Sequence, residues 1–392
     1  LIVREGRPGL PAGGGGCYAG TVGARKVLFI FGTRPEAIKL CPVIQRLRRE
    51  PAEFDVSVCA TAQHRELLDQ VLAVFGVAPD HDLNVMQPGQ TLFQSTSRIL
   101  AALEPVIAAE RPDWVVVQGD TTSTLCGALA GFYARSRVAH VEAGLRTGDM
   151  SQPFPEEMNR VLASRITDHH FAATQWAAEN LIREGFPCTS ISVTGNTGID
   201  AVMQVRDRLE DGRLPAPAWP WLDPDRKLIL VTAHRRESFG EGFERICRAL
   251  ETLSRRPDVQ IVYPVHPNPR VTGPVSRHLR SRPNITLLEP LDYVSFVDLM
   301  RRAWILLTDS GGVQEEGPSL GKPILVLREK TERPEAVEAG TVRLVGTDTG
   351  RIIGEAELLL ENEATYQERR RIHNPYGDGR ASERIAAVLR EK

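Results

Sequence analysis

Short runs of apolar residues alternate from residue 26 onward with longer segments in which apolar residues recur every three to four positions. KVLFIF (26–31) and WVVVQ (114–118) are typical of the runs. Continuous apolar runs of this length are typical of strands buried on both faces, and the segments between them have the spacing of amphipathic helices. The pattern therefore predicts an α/β protein built on parallel sheets.

The alternation occurs in two series, separated by a proline- and tryptophan-rich break at residues 211–225. A chain of 392 residues is too long for one typical core, so two domains are expected. We predict two Rossmann-like domains, at 25–195 and 196–379. Residues 1–24, with glycines at 13–16 and no apolar run, are expected to be a flexible extension. The strands predicted in the second series are 228–233, 260–265, 285–289, 303–308 and 323–327.

Composition excludes several classes of protein. Acidic and basic residues nearly balance at a net charge of −2, which gives no field to attract nucleic acid or an anionic membrane. No apolar run approaches the ~20 residues of a membrane span. The six cysteines are scattered without a C-x-x-C pair, which indicates a reducing, cytoplasmic location and no zinc site.

The stretch at residues 303–323 organises the candidate site. An apolar run ends at Asp309, and Ser310, Gly311 and Gly312 then open a helical segment that carries Glu316. Glycines at a strand-to-helix turn let a phosphate approach the backbone N–H groups, and a carboxylate one turn further on can accept hydrogen bonds from a ribose. The alternative is an ordinary Ser-Gly-Gly turn followed by solvated glutamates.

Polar residues also follow the other predicted strands, where ligands of open α/β sheets bind. Arg34 and Lys39 follow the first strand and suit an anion, although both could be surface residues. Asp120 ends WVVVQGD, where a helix N-cap is the alternative. Glu142 lies inside an apolar run and needs a partner, for which Arg146 is the structural candidate.

Four more residues complete the candidate set. Glu156 follows a proline at a predicted helix start, where complementing the helix dipole is the commoner role. His234 and Arg333 are candidates for an anion clamp, and the histidine also for a proton donor. Phe296 either stacks on a base or fills the core. No phosphate-loop or dinucleotide fingerprint follows a strand, so the two facing series of loops indicate a nucleotide-sugar cleft without a redox or metal cofactor.

The ordered motifs from residue 26 to the C-terminus resemble the bacterial non-hydrolysing UDP-N-acetylglucosamine 2-epimerases. Each motif is weak alone, but together and in this order they are specific. They are FGTRPEAIKL (31–40), TAQHRELLDQV (61–71), QGDTTST (118–124), HVEAGLRTGD (140–149), PEEMNR (155–160), VTGNTGID (193–200), HRRESFG (234–240), YPVHPNP (263–269), TDSGGVQEE (308–316), TERPEAVEAGTVRLVGT (331–347) and HNPYGDG (373–379).

The resemblance implies a glycosyltransferase-B-like architecture whose last helix, 380–392, crosses back onto the first domain. It implies a homodimer that interconverts UDP-GlcNAc and UDP-ManNAc through 2-acetamidoglucal, for synthesis of cell-envelope polysaccharide precursors. The implied catalytic residues are Asp120, Glu142, Glu156 and His234. The implied UDP contacts are Arg34, Lys39, Phe296, Ser310, Gly311, Gly312, Glu316 and Arg333, with the backbone of Leu291 near uracil. The implied allosteric residues are Gln63, Glu66 and His266.

Three other functions fit parts of the pattern. A glycosyltransferase of the same architecture would need an acceptor surface, and none is legible. A hydrolysing epimerase would release free ManNAc, whereas the TAQHRE and HPNP stretches favour the non-hydrolysing branch. A nucleotide-sugar sensor would not need the three acids and the histidine. The sequence leaves open which acid removes the C2 proton, with Asp120 or Glu142 favoured and Glu156 assisting.

Overall fold

The computed structural model describes residues 23–61, 65–85, 87, 89–331, 333–370 and 374–392. The described strands of the first half are β1 (Arg25–Phe31), β2 (Phe54–Ala60), β3 (His81–Asp82), β4 (Trp114–Gln118), β5 (Arg137–Ala143), β6 (His169–Ala172) and β7 (Ile191–Val193). They form one parallel sheet in the order β3-β2-β1-β4-β5-β6-β7. The order reverses between β1 and β4, which opens a crevice at the carboxyl ends of these two strands.

A second parallel sheet follows the proline-rich break. Its described strands are β8 (Lys227–Thr232), β9 (Val259–Pro264), β10 (Ile285–Leu288), β11 (Ile305–Thr308), β12 (Ile324–Val326) and β13 (Val342–Leu344). They lie in the order β10-β9-β8-β11-β12-β13, with the reversal between β8 and β11. The expected α/β architecture with two parallel sheets is confirmed. The prediction of five strands here was wrong, because β13 is a three-residue edge strand too short to register as an apolar run.

Helices cover the faces of both sheets. They are α1 (Arg34–Arg48), α2 (Arg65–Phe75), α3 (Leu92–Glu110), α4 (Thr122–Tyr133), α5 (Glu156–Arg165), α6 (Gln175–Arg183), α7 (Thr197–Glu210), α8 (Glu241–Leu253), α9 (Pro269–Leu279), α10 (Tyr293–Arg302), α11 (Gly311–Glu316), α12 (Pro334–Glu338), α13 (Thr349–Glu361), α14 (Glu363–Arg370) and α15 (Ala381–Glu391). None of those lying wholly in described residues is long and apolar enough to cross a bilayer.

The central strands are buried because their residues are almost continuously apolar. In β4 every residue is buried, and in β1 only the first two are not. Helices pack on such strands through one apolar face, as α8 does with Phe243, Ile246 and Leu250. Burial of one large aliphatic or aromatic side chain stabilises the fold by about 1.5–3 kcal/mol. Each sheet buries many such side chains and is therefore a stable base for the loops that follow its strands.

Helix α7 joins the two halves, since it packs on α1 on one side and on α10 and α11 on the other. Helix α15 returns to the same place and contacts α1 and α7. Its start is fixed by Asp200, whose carboxylate accepts hydrogen bonds from the backbone N–H groups of Ala381 (3.1 Å) and Ser382 (2.8 Å). The segments around residues 196 and 376 therefore pass side by side between the two sheets, and a hydrogen bond from the N–H of Asn196 to the carbonyl of Tyr376 joins them (2.7 Å).

Candidate active site

A cavity of about 420 Å³ lies where the carboxyl ends of the two sheets meet. Residues that follow β1, β8, β9, β10 and β11 form its wall, together with side chains of α1 and α10. The backbone segment at Leu291, expected near uracil, is part of this wall. The structure brings nine of the predicted residues to it: Arg34, Lys39, His234, His266, Phe296, Ser310, Gly312, Glu316 and Arg333.

The glycine turn after β11 gives this cavity its floor. Ser310 and Gly312 line it directly, while Gly311 is buried beneath the guanidinium of Arg333. A Cβ at Gly311 would overlap that guanidinium, so the glycine makes room for the arginine rather than for a ligand. The first N–H groups of α11 have no partner within a helix, which leaves donors at the cavity for an anion.

The two glutamates of α11 both line the cavity but have different partners. Glu316 lies in the cavity, where burial and the neighbouring Glu315 raise its pKa to about 8. It is therefore protonated at neutral pH and can both donate to and accept from hydroxyl groups. Glu315 is buried and pairs with Arg333, whose Nε donates to its Oε1 at 2.6 Å.

Lys39 connects the cavity to the first sheet. Its ammonium forms an ion pair with Glu142, and its side chain is 18% exposed. Burial alone would lower the pKa of Lys39, but the carboxylates of Glu142 and Glu315 outweigh it and raise the pKa above its usual value. Lys39 is thus a fixed positive charge between the two halves.

An irregularity in β5 sets the direction of the Glu142 side chain. The pairing with β6 shifts between Val141 and Ala143, and Glu142 itself has φ +62° in the left-handed region. Such a bulge turns a side chain out of its strand, and a non-glycine residue at positive φ stores strain of order 1–3 kcal/mol. The carboxylate accepts hydrogen bonds from Lys39 and Gln118. The structural alternative from the sequence was wrong, because Arg146 pairs with Glu184 instead (2.6 Å).

Asp120 lies at the end of the neighbouring strand. Arg160 of α5 binds one of its carboxylate oxygens through Nε (2.9 Å) and a terminal nitrogen (2.6 Å). Asn159 donates to the backbone carbonyl of Asp120 at 2.8 Å. Asp120 is therefore held by α5 and does not cap α4, whose N-cap is Thr121.

Glu156 and Glu157 begin α5 with separate functions. Glu156 is half-buried and lies one turn before Arg160, on the face that approaches Asp120. Glu157 is 1% exposed and accepts from the N–H groups of Thr147 (3.0 Å) and Gly148 (3.1 Å). The structure thus gives Glu157 a structural role.

His234 is held by a buried carboxylate. Asp309, fully buried, accepts from the N–H groups of His234 and Arg235 through one oxygen, at 2.7 Å each. Its other oxygen lies 3.6 Å from Nδ1 of His234. Burial lowers the pKa of His234 and Asp309 opposes that shift, while the ring of His266 stacks on it at 5.4 Å. The imidazole is therefore oriented at the mouth of the cavity.

Glu36 is a further residue of the site that the sequence did not single out. It is 1% exposed and accepts from the N–H groups of Gly32 (3.1 Å) and Thr33 (2.7 Å) and from the hydroxyl of Thr121 (2.7 Å). Burial raises its pKa against these hydrogen bonds. Glu36 ties the loop that carries Arg34 to the loop after β4. The spacing Thr33-x-x-Glu36 is that of a capping box and predicts the bond to the N–H of Thr33, but it does not predict the contact with Thr121.

A second cavity, of about 780 Å³, lies on the other side of Arg333. Arg146, Phe154 and Arg160 line it from the first half, and Arg235 lines it from the second. Asp120, Glu142 and Glu156 line neither cavity, but Arg160 and Lys39, which bind two of them, do. Asp120 and Glu142 therefore lie behind cations that line the two cavities.

The structure says little about two of the predicted positions. Gln63 lies outside the described residues, and Glu66 is placed in α2 without a description of its side chain. Within the described ranges, no group of three or more histidine, cysteine, aspartate or glutamate side chains is placed to hold a metal ion.

The fold has two parallel β-sheets with helices on their faces, and a glycine turn and acids lie across a shared cleft. These features define a nucleotide-sugar enzyme of the glycosyltransferase-B-like class. Comparison with known proteins is more specific. The family model "UDP-N-acetylglucosamine 2-epimerase" matches residues 45–390. The chain belongs to the UDP-N-acetylglucosamine 2-epimerase family, whose members are isomerases.

Individual relatives agree with this assignment. The Salmonella typhimurium UDP-N-acetylglucosamine 2-epimerase is 56% identical over 370 residues, which are 93% of this chain and 98% of that protein. The Neisseria meningitidis UDP-GlcNAc 2-epimerase bound to UDP-GlcNAc is 47% identical, with a TM-score of 0.86 over 94% of this chain and all (100%) of that one. The Methanocaldococcus jannaschii enzyme in complex with UDP-GlcNAc and UDP is 35% identical, with a TM-score of 0.75 and coverage of 94% and 100%.

Proposed function

We propose that the protein interconverts UDP-GlcNAc and UDP-ManNAc without hydrolysing either, as a step toward cell-envelope polysaccharide precursors. A carboxylate removes the proton from C2 of the sugar while the bond from C1 to the UDP oxygen breaks. A C1–C2 double bond forms, giving 2-acetamidoglucal and UDP. A proton then returns to C2 on the opposite face, and the UDP oxygen adds back to C1.

The observation that carries this proposal is that the two halves of the chain contribute different chemical groups to the cleft. The second half supplies a turn, an arginine and a histidine suited to a diphosphate. The first half supplies the half-buried acids Asp120, Glu142 and Glu156. Elimination of UDP develops negative charge on the pyrophosphate, which fixed cationic groups stabilise best in a site shielded from water. Arg34, Lys39 and Arg333 provide such groups at the cavity.

The positions of individual residues support the following roles. Ser310, Gly312 and the N–H groups that begin α11 bind the diphosphate, Glu316 binds the ribose, and Phe296 with the backbone at Leu291 contacts the base. His234 donates to the leaving oxygen. Asp120 and Glu142 are the candidates for the base, with Glu156 assisting. A carboxylate acting as general base contributes about 10²–10⁴-fold to such a reaction.

Product analysis tests the overall reaction. The protein is incubated with UDP-GlcNAc, and the mixture is followed by proton NMR. We expect UDP-ManNAc to accumulate to a fixed ratio with UDP-GlcNAc. Free ManNAc as the main product would identify a hydrolysing enzyme, and a ligand that binds without turnover would identify a sensor.

The elimination step has its own test, which uses UDP-GlcNAc labelled with ¹⁸O at the bridging oxygen between C1 and the β-phosphorus. If UDP leaves and returns, rotation of its terminal phosphate moves the label to non-bridging positions, and ³¹P NMR detects the change. A label that stays in the bridge while C2 inverts would contradict elimination.

The regulatory assignment of Gln63, Glu66 and His266 is supported by the stacking of His266 on His234 at 5.4 Å. A second UDP-GlcNAc bound near His266 would act directly on the proton donor. We expect a sigmoidal dependence of rate on UDP-GlcNAc that becomes hyperbolic in His266→Ala. A hyperbolic curve for the wild-type protein would contradict the assignment.

A homodimer is supported by the outer face of α3 and α4. A cavity of about 870 Å³ lies there, lined by Leu100, Ala101 and Tyr133 among others, and Tyr133 is 70% exposed. Exposed apolar clusters of this kind mark association surfaces. We expect light scattering to give twice the mass of one chain for the wild-type protein and the mass of one chain for Tyr133→Glu. Leu358→Glu, which changes an exposed leucine on α13, is the control and should leave the dimer intact.

A further inference from the structure

The side chain of Asn196 lies between two carboxylates that belong to opposite sides of the cleft. Its amide nitrogen is 2.9 Å from an oxygen of Glu315, on α11, and 3.4 Å from an oxygen of Glu142, on β5. Asn196 is 3% exposed, so its amide is not available to bulk water. Neither Asn196 nor Glu315 has a role in the proposed chemistry so far.

The orientation of the Asn196 amide is fixed by its other end. The side-chain oxygen accepts from the N–H of Gly198 at 2.8 Å and caps α7. Because a backbone N–H only donates, the oxygen must face it, and the NH₂ group must face the two carboxylates. One amide thus supplies both of its hydrogens to acids from the two halves.

Each of the two carboxylates that Asn196 contacts also binds a cation with a role in the proposed reaction. Glu315 accepts from Arg333, the cation that separates the two cavities. Glu142 is bound by Lys39. The charged groups that face the bridge are therefore Lys39 from α1, Glu142 from β5, Glu315 from α11 and Arg333 at the start of α12. Two cations alternate with two carboxylates around a neutral amide.

We propose that Asn196 and Glu315 are positioning residues that fix the carboxylate of Glu142 relative to the bound UDP; this rests on the proposed function. Both glutamates line the cavity, but Glu316 is assigned to the ribose, whereas Glu315 joins Arg333 to Asn196. The amide holds Glu142 at a set distance from α11 and the diphosphate turn. Loss of the bridge slows the proton transfer at C2 and leaves the UDP contacts in place.

The variant Asn196→Asp isolates this role. An aspartate is nearly isosteric and still caps α7 through the N–H of Gly198. It replaces the bridging donor with a third carboxylate. Misplacing a reacting group by about 1 Å costs on the order of 100-fold. We therefore expect kcat to fall about 100-fold while the Kd for UDP, measured by calorimetry, stays within about threefold of wild type.

The pH profile distinguishes positioning from general damage. A third negative charge disfavours the ionised form of nearby acids, so the acidic limb of the kcat profile should move to higher pH in Asn196→Asp. The matched control is Asn284→Ala. Asn284 also donates to two acceptors, the carbonyls of Ser254 (3.0 Å) and Arg256 (3.2 Å), but at the amino end of β10, away from the cleft. It should leave kcat, Kd and the profile unchanged. An unmoved acidic limb, or equal losses in the control, would overturn the proposal.

A stability cycle tests the bridge independently of turnover. Asn196→Ala and Glu315→Ala each remove one partner of the same hydrogen bond, so their losses in Tm should be clearly less than additive in the double variant. Additive losses would mean that the two residues do not interact and would overturn the bridge. Absence of turnover in the wild-type protein would instead contradict the proposed function, and the cycle would still decide the bridge.

Discussion

At the scale of single residues, the site depends on carboxylates that are buried and held by hydrogen bonds. Asp309 accepts two backbone N–H groups, and Glu36 accepts N–H and hydroxyl groups from three loop residues. A buried carboxylate with such partners fixes the loops that carry the reacting groups. The catalytic candidates themselves, Asp120 and Glu142, are each bound by a cation.

Asp309→Asn tests the charge beside His234. Asparagine keeps an oxygen to accept the two N–H groups but removes the negative charge that opposes the lowered pKa of His234. The imidazole should then lose its proton at lower pH. We expect the alkaline limb of the kcat profile to shift to lower pH while the Tm changes little. An unshifted limb would show that Asp309 only holds the backbone.

Sequence reasoning predicted the residues at the cavity better than their partners. The positions after the strands were readable because ligands of parallel sheets bind at the carboxyl ends, and nine predicted residues line one cavity. The partner of Glu142 was not readable. Lys39 is far away in sequence, whereas Arg146 is near in sequence and bound elsewhere. Contacts across a fold depend on packing between elements, which local spacing does not encode.

At the scale of elements, the long apolar strands were predicted and the short ones were not. β1 and β4 are continuous apolar runs, but β13 has three residues, of which only Val342 is buried. The bulge at Glu142 was not predicted either, because a charged residue in an apolar run does not reveal its φ angle. The bulge is defined by how β5 pairs with β6, and the sequence of β5 alone does not show that pairing.

Strands β5 and β6 carry three buried histidines that should make stability depend on pH. Burial lowers the pKa of His140 and His169 to about 4 and that of His170 to about 3. In the unfolded chain a histidine has a pKa of about 6.5. Because the folded pKa is the lower one, protonation favours the unfolded state. The stability is present above pH ~6.5 and is lost as pH falls from there toward ~3.

His170→Phe should remove part of this acid sensitivity. The ring of His170 is fully buried against Phe186, so phenylalanine keeps the packing without a titrating group. For one histidine the loss between pH 7 and pH 5 is about 2 kcal/mol, which is ~1.5 pH units at about 1.36 kcal/mol each. Urea unfolding at both pH values measures it. An equal loss in wild type and variant would contradict the assignment.

At the scale of the whole molecule, the two halves are tied together by α7 and by the return of α15. Helix α1, which carries Arg34 and Lys39 at the cleft, packs against both α7 and α15. These contacts therefore hold the two side chains in place relative to the second half. Asp200 is the side chain that fixes the start of α15, through Ala381 and Ser382.

Asp200→Ala should loosen α15 selectively. Loss of a helix cap costs about 0.5–2 kcal/mol, and the buried donors left behind add to that. Hydrogen exchange should accelerate in 381–391 before the rest of the fold. The control is Asp348→Ala, since Asp348 caps α13 with an exposed carboxylate (2.8 Å to the N–H of Arg351). Unchanged exchange in 381–391 for Asp200→Ala would contradict the role.

In the proposed reaction, acids of the first sheet exchange the proton at C2 while the second half retains UDP. Proton NMR in deuterium oxide tests it on the wild-type protein and on Glu142→Gln, each with UDP-GlcNAc. We predict that the C2 proton signals of UDP-GlcNAc and UDP-ManNAc both disappear with wild type. In Glu142→Gln, exchange should be at least about 100-fold slower, with unchanged UDP affinity. Formation of UDP-ManNAc with the original proton still at C2, or wild-type exchange in Glu142→Gln, would contradict this mechanism.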